Sequence, residues 1–205
     1  RQRQMCIRDR ANAETVKDLE TAMKFGAQGI GLARTEHMFF GQDRILEMRR
    51  LILADNEEEI KIALKLLLHF QEEDFYQMFQ AIQDKPMIIR LLDPPMHEFL
   101  PKDPQEIKLL AEKLHKSPEK LARQIENLQE SNPMLGHRGC RLGITQPEIY
   151  KMQAEAIFSS AIRLHQEGLK IKPKIMIPLI TDKKELDFVK SYLNEHIQCL
   201  FNEYE

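Results

Sequence analysis

The chain has only three cysteines and no long apolar run, and each shortage excludes a class of protein. Because Cys6, Cys140 and Cys199 are isolated, they form neither a CxxC pair nor a disulfide framework, which is typical of a reducing compartment. We therefore expect the cytoplasm, or a plastid or other organelle in a eukaryote. The longest apolar runs, at 87–89 and 175–180, are far too short to span a bilayer, so no membrane partner is expected.

The chain also has no large excess of positive or negative charge. The 30 Lys and Arg residues are balanced by 32 Asp and Glu residues, so no strong field favours nucleic acid or an anionic membrane. Neither GxxxxGKS/T nor GxGxxG follows a strand-like run, which removes the usual nucleotide loops. The seven histidines are scattered without metal-ligand spacing, so we predict no metal site in this sequence.

Residues 1–10 differ from the rest of the chain. They lack the apolar centre of a signal peptide and any periodicity that continues into the residues after them. Their amino-acid sequence is similar to that of translated adapter or vector DNA, so we interpret them as a non-native leader. The fold is predicted from residues 11–205, where we find neither a linker nor a repeat.

Apolar runs of strand length alternate with helical periodicity from residue 11 onward. The strand-like runs lie at 29–34, 87–92 and 174–180, and a strand-and-turn segment with several glycines lies at 134–144. Asp103-Pro104 and Ser117-Pro118 each place a side-chain oxygen before a proline, which predicts two helix starts. The alternation indicates an α/β fold with a parallel sheet. On this pattern alone, an open doubly wound sheet and a barrel fit equally well.

Three arginines, Arg34, Arg90 and Arg138, lie at or near the ends of successive strand-like runs. Ligands of parallel α/β folds bind beyond the carboxyl ends of the strands. A guanidinium there matches the oxygens of a phosphate or carboxylate, so the three suit a small, multiply charged anion. Glu36 and Asp93 are the expected carboxylate partners. The alternative, that each arginine makes a structural ion pair, stays open on spacing alone.

Other polar residues near these runs favour a structural role. His37, His97 and His137 each lie just after or within a strand-like run, so each could reach the edge of the sheet where the arginines lie. A hydrogen-bonded loop histidine is the simpler interpretation of each. Arg141 is compatible with either role. Cys140 is interpreted as a small buried side chain.

Four longer motifs resemble the phosphoenolpyruvate-utilising enzymes, and most closely their pyruvate, phosphate dikinase members. They are GIGLARTEHMFF at 29–40, IRLLDPPMHEFLP at 89–101, NPMLGHRGCRLGI at 132–144 and KIMIPL at 174–179. Phosphoenolpyruvate synthase and enzyme I of the sugar phosphotransferase system share the general themes and are the alternative. A non-catalytic phosphoenolpyruvate-binding module is a second alternative.

The resemblance implies a TIM-type (β/α)8 barrel, of which 11–205 is the N-terminal part. Residues 10–13 would end its first strand, and strands two to five would lie at 29–34, 87–92, 136–142 and 174–180. Residues 102–131 would form a helical insertion. By this resemblance Arg34 and Arg90 correspond to the family's substrate-binding arginines, with phosphoenolpyruvate or pyruvate as the ligand. Arg138 corresponds to an active-site arginine of the wider superfamily and is the third expected substrate-binding residue. We expect half a barrel to be unstable or to aggregate in isolation.

The resemblance also implies a reaction for the whole enzyme. ATP, phosphate and pyruvate are interconverted with AMP, pyrophosphate and phosphoenolpyruvate through a phosphohistidine on another domain of the same chain. Mg²⁺ is the implied cofactor, with ligands expected beyond residue 205. No catalytic role transfers to a residue of this chain, so we expect the fragment to be inactive alone. A homodimer is expected for the complete enzyme.

Overall fold

A parallel sheet of four strands organises the chain. The computed structural model describes residues 9–204, so residues 1–8 of the predicted leader lie outside the described part. The strands are β1 (Ala11–Asn12), β2 (Ile30–Arg34), β3 (Pro86–Arg90) and β4 (Lys172–Met176). They pair in the order β1-β2-β3-β4, and all three pairings are parallel.

This strand order bears on the choice between a doubly wound sheet and a barrel. A doubly wound sheet reverses its strand order at a switch point, whereas a (β/α)8 barrel adds each strand beside the previous one. The observed order follows the chain without reversal. The predicted α/β class is confirmed, and the sheet is consistent with part of a barrel.

Eight α-helices connect and cover the strands within residues 9–204. They are α1 (Val16–Lys24), α2 (Gln42–Ile52), α3 (Glu57–Ile82), α4 (Pro104–Leu114), α5 (Pro118–Leu128), α6 (Cys140–Thr145), α7 (Pro147–Gln166) and α8 (Lys183–Tyr204). Two 3-10 helices, Thr35–Phe39 and Met96–Phe99, follow β2 and β3 closely. Helix α1 packs against α3, α3 against α7, and α7 against α8, as neighbours in the outer layer of a barrel would.

The main hydrophobic core lies between this helix layer and one face of the sheet. Along β3, Met87 and Ile89 are buried while Ile88 and Arg90 are only partly covered. Since side chains alternate across a strand, the buried pair points to the helices and the other pair to the opposite face. Large side chains with almost no exposure fill the core, among them Leu19, Leu67, Phe75, Phe79 and Ile89. Burying each contributes about 1.5–3 kcal/mol, less the entropy of ordering it.

Helices α4 and α5 form a separately packed unit in the predicted insertion. Both predicted starts are confirmed, because Asp103 accepts the Gln105 N–H at 2.7 Å and Ser117 accepts the Lys120 N–H at 3.4 Å. The unit has its own small core, whose buried members are Leu53, Leu100, Leu110, Ala111, Leu121 and Ile125. Leu53 and Leu100 belong to segments outside α4 and α5, so this core also fastens the helix pair to the body of the domain.

The prediction of a strand at 136–142 was wrong. Residues Cys140–Thr145 form α6 instead, and the preceding residues are turns. The alternation of Cys140, Leu142 and Ile144 imitates a strand, but Gly139 takes φ +56°, which redirects the chain. The edge of β3 that this strand would have used is occupied by β4. The strand predicted at 174–180 is therefore the fourth of the sheet, and it lies at 172–176.

The segment after β3 is fixed by two side chains of α7. The buried Leu92 backbone N–H donates to Gln153 Oε1 at 2.8 Å, and the Leu92 carbonyl accepts from the Tyr150 hydroxyl at 2.9 Å. Burial raises the pKa of Tyr150 far above its ordinary value, so its hydroxyl remains a donor. A Cβ at Gly143 would lie 2.5 Å from the Tyr150 ring, so only glycine leaves room for it.

In the complete protein that contains this sequence, Tyr150→Phe should destabilise the domain by about 1–3 kcal/mol, because it leaves the buried Leu92 carbonyl without a donor. Urea denaturation followed by circular dichroism measures this loss. The matched control is Tyr76→Phe, whose hydroxyl bonds Glu167 in an exposed position. The control should cost less than about 0.5 kcal/mol. Equal losses in the two variants would contradict the assigned role of the Leu92 contact.

The turn between α4 and α5 is fastened by charges that should respond to acid. Hydrogen bonds from Lys120, at 2.9 Å, and from Lys116 hold the pKa of Asp55 at about 2, below its ordinary 3.8. A lowered folded-state pKa adds stability above the unfolded pKa and loses it as the pH falls through the folded one. The stability difference between the parent and Asp55→Asn should therefore be constant above about pH 5, shrink as the pH falls from about 5 to 2, and be lost near pH 1. Urea denaturation at several pH values tests this, and a difference at pH 2 as large as that at pH 6 would contradict it.

Candidate anion-binding site

The carboxyl ends of β2 and β3 bring two of the predicted arginines side by side. Arg34 and Arg90 are the last residues of their strands and are direct partners in the parallel register. Both side chains retain some exposure, at 32% and 22%. They therefore lie at an open edge of the sheet, where their guanidinium groups can meet solvent or a ligand.

Arg138 reaches the same edge from a turn rather than from a strand. Its Nη2 atom lies 3.0 Å from Asp93 Oδ2, and the next residue, Gly139, donates its N–H to the Asp93 carbonyl at 3.0 Å. The Cys140 N–H in turn donates to the Pro178 carbonyl beyond β4 at 3.0 Å. The structure thus brings all three predicted arginines to the carboxyl ends of the strands.

Gly139 is required at this turn. Its φ of +56° is unfavourable for residues with a side chain, and an added Cβ would lie 2.9 Å from the Cβ of Leu179. Leu179 itself has φ +58°, so the two loops meet at closely fitted positions. The glycine after Arg138 therefore allows the turn at Gly139 to pack closely against the loop that contains Leu179.

Two buried carboxylates pair with Arg90 and Arg138. Asp93 contacts both Arg90, at 3.2 Å, and Arg138, at 3.0 Å. Glu36 forms an ion pair with Arg90, which confirms that Glu36 and Asp93 are arginine partners. Both acids are only 8% exposed. A charge in such a position is costly without a partner, so removing one member of a pair would leave the other charge uncompensated.

The partner of Arg34 was missed in the sequence. Its Nη1 donates to Glu14 Oε1 at 2.8 Å, and His37 Nδ1 lies 3.7 Å from the other oxygen of Glu14. Glu14 follows β1 by two residues. The signal was an acid just after a strand, but β1 is too short to be recognised by periodicity.

The three guanidinium groups have more donors than these carboxylates use. Each guanidinium carries five N–H donors. Among the described residues, Arg34 and Arg138 each make one ion pair through a single nitrogen, and Arg90 makes two. The remaining donors could bind the oxygens of a phosphate or carboxylate in the planar geometry that guanidinium groups favour. The arrangement can therefore be charge-balanced and still offer hydrogen bonds to an anion.

The neighbouring candidates have structural contacts. Cys140 is buried, its thiol donates to the Leu179 carbonyl at 3.0 Å, and burial raises its pKa, so the inert interpretation is supported. Arg141 donates to the carbonyls of Leu135 and Gly136. His137 is exposed and bonds Thr145. These contacts explain each side chain without a ligand.

Two further observations concern metals and membranes. Residues 9–204 contain no group of three or more His, Cys, Asp or Glu side chains placed to hold a metal ion. Glu36 and Asp93, the buried acids nearest the arginines, are engaged by guanidinium groups. Within the same residues, no helix has the length and apolar character that crossing a membrane requires.

Comparison with known proteins gives the family. The profile described as PEP-utilising enzyme, PEP-binding domain, where PEP is phosphoenolpyruvate, matches residues 4–205. The chain belongs to this PEP-binding domain family. The resemblance seen in the four motifs is thereby confirmed.

Relatives of the PEP-binding domain include three proteins named pyruvate, phosphate dikinase. The chain is 47% identical to that of Clostridium symbiosum over 92% of the chain and 22% of the relative. It is 51% identical to that of Rhizobium meliloti over 89% and 20%, and 47% identical to that of Giardia intestinalis over 97% and 22%. The chain thus spans about a fifth of the length of these curated relatives. The substrate role of the three arginines stays a prediction.

Asp93→Asn should destabilise the PEP-binding domain by about 1–3 kcal/mol, because it removes the charge shared by Arg90 and Arg138. Urea denaturation measures the loss. Asp103→Asn is the matched control, since Asn also caps a helix and Asp103 is exposed. A loss no larger than that of the control would show that the two guanidinium groups do not depend on Asp93.

Proposed function

We propose that the chain is the phosphoenolpyruvate- and pyruvate-binding part of a pyruvate, phosphate dikinase, and that Arg34, Arg90 and Arg138 bind the substrate. The observation that carries the proposal is the convergence of three arginines at the strand ends of a PEP-binding domain. Relatives with 47–51% identity that bear the dikinase name favour it over phosphoenolpyruvate synthase or an enzyme I-type protein. No described contact favours a non-catalytic module.

The chemistry of the substrate fits these side chains. Phosphoenolpyruvate carries a phosphoryl group and a carboxylate, and guanidinium groups recognise both. Arg34 and Arg90 are register partners, so their donors face one ligand from adjacent strands. Arg138 is linked to Arg90 through Asp93, the acid that both contact. Donors fixed in this way would hold the phosphoryl group in line for transfer and stabilise its charge in the transition state.

The proposed reaction of the whole protein is the interconversion of ATP, phosphate and pyruvate with AMP, pyrophosphate and phosphoenolpyruvate. A phosphohistidine carried by another domain would bring the phosphoryl group to the arginines. The described residues supply substrate binding, and the proposal gives none of them a proton-transfer step. The phosphohistidine domain, the homodimer and the cytoplasmic or organellar location stay predictions.

Magnesium is the cofactor that the family implies, and the described residues do not fit it. They present no group of three or more suitable ligands, and Glu36 and Asp93 are bound to arginines. A cation placed between these acids would have to compete with guanidinium groups already in contact with them. No step through the metal is therefore assigned to the residues of this chain, and magnesium stays a prediction for the whole enzyme.

Arg90→Leu in the complete protein that contains this sequence should raise the Kd for phosphoenolpyruvate by about 10- to 100-fold, because a charge-assisted contact to the substrate is lost. Arg90→Lys should retain part of the affinity, since it keeps the charge without the planar fork. Isothermal titration with phosphoenolpyruvate measures the affinity. Formation of ATP from AMP, pyrophosphate and phosphoenolpyruvate tests the reaction.

The matched control is Arg123→Leu, which removes an exposed arginine on α5 and should leave the affinity unchanged. An unchanged Kd in Arg90→Leu, with the variant still folded, would overturn the substrate role of Arg90. Failure of the parent protein to make ATP from the three substrates would overturn the dikinase assignment.

A further inference from the structure

Arg138 is held differently from the other two arginines. Arg34 and Arg90 end strands, and the hydrogen bonds of the sheet fix their backbones. Arg138 lies in the turn segment between α5 and α6, outside the sheet. Asp93 contacts its side chain, and the Asp93 carbonyl accepts the N–H of Gly139, which holds the backbone on one side of Arg138. The backbone on the other side has contacts of its own.

The peptide between Gly136 and His137 is held on both sides. Its N–H, which belongs to His137, donates to Glu130 Oε1 at 2.6 Å. Its carbonyl, which belongs to Gly136, accepts from Arg141 Nη1 at 2.8 Å. Because one peptide unit is rigid and planar, binding both of its polar groups fixes its orientation. This peptide lies one residue before Arg138, so it constrains the backbone from which the Arg138 side chain extends.

Glu130 is fitted closely to the turn. A Cβ added at Gly136 would lie 1.4 Å from Glu130 Oε2, so a larger residue at 136 would displace the carboxylate from its present position. Oε2 is buried and has no hydrogen-bond partner among the described residues. The contact to the His137 N–H is therefore the polar interaction through which this carboxylate acts.

Glu130 belongs to the end of the helical insertion. It follows the last residue of α5, Leu128, by two positions. Helix α5 is anchored by Leu121 and Ile125 in the second core. At its other end, Lys116 lies 3.1 Å from both Asp55 and Glu59. The insertion is thus fixed to the body of the domain before it presents Glu130 to the turn.

We infer that Glu130 is a positioning residue for Arg138, and that one role of the α4–α5 insertion is to hold this arginine at the substrate site. The inference rests on the proposed function, because it assumes that Arg138 binds phosphoenolpyruvate. Glu130 itself does not touch the substrate. It acts by fixing the Gly136–His137 peptide.

Three variants of the complete protein test this inference. Glu130→Ala removes the acceptor and should raise the Kd for phosphoenolpyruvate by about 3- to 30-fold. Glu130→Gln keeps an oxygen acceptor, and its amide nitrogen replaces an oxygen that has no partner, so its Kd should stay within about threefold of the parent. Glu126→Ala, an exposed residue of α5, is the matched control and should leave Kd unchanged.

A double-mutant cycle separates positioning from a general loss of stability. In an Arg138→Leu background, Glu130→Ala should have no further effect on Kd, since the arginine that it positions is absent. Urea denaturation of each variant confirms that the proteins compared are folded. A parent-like Kd for Glu130→Ala, or an equal loss in the Arg138→Leu background, would overturn the inference. If Arg138→Leu and Arg90→Leu both left Kd unchanged, the proposed function would fail instead.

Discussion

The carboxylate of Asp93 is the contact on which the site depends. It faces Arg90 and Arg138 at once, so it allows two guanidinium groups to share one edge of the sheet without uncompensated repulsion. The preceding residue is bound through both of its backbone groups to Tyr150 and Gln153 of α7. The carbonyl of Asp93 accepts the N–H of Gly139. An outer helix, the sheet and the turn therefore fix the same two residues.

Charge balance at the arginines has a consequence for binding. Three arginines with no acids would be costly to hold at a partly buried edge, whereas arginines paired with Glu14, Glu36 and Asp93 are tolerated. What the pairs leave over is hydrogen-bond donors rather than net positive charge. An anion at such a site is held by directed contacts, which depend on geometry more than a charge field does. The positions of the three side chains thus matter as much as their number.

The part of this arrangement that obeys local rules could be predicted from the sequence. Strand runs place Arg34 and Arg90 at strand ends, and Asp103 and Ser117 mark helix starts by their own chemistry. Glu14 was missed because β1 has only two residues, too few for a periodic signal. The helix at Cys140–Thr145 was mistaken for a strand because its apolar residues alternate, while its conformation is decided by Gly139 and by the occupied edge of β3. Such contacts between distant segments leave no trace in local periodicity.

Long-range contacts of this kind also hold Arg138, whereas Arg34 and Arg90 are held by the hydrogen bonds of the sheet. Since Arg34 and Arg90 belong to paired strands, they can move relative to each other only if the sheet distorts. Arg138 is tied to the sheet through Asp93 and to a separately packed helix pair through Glu130. A displacement of α5 would therefore act on Arg138 first, and on Arg90 only through the Asp93 that both contact. The proposed site thus combines two donors on paired strands with one that is linked to a second core, so we infer that changes to that core would alter the geometry of binding.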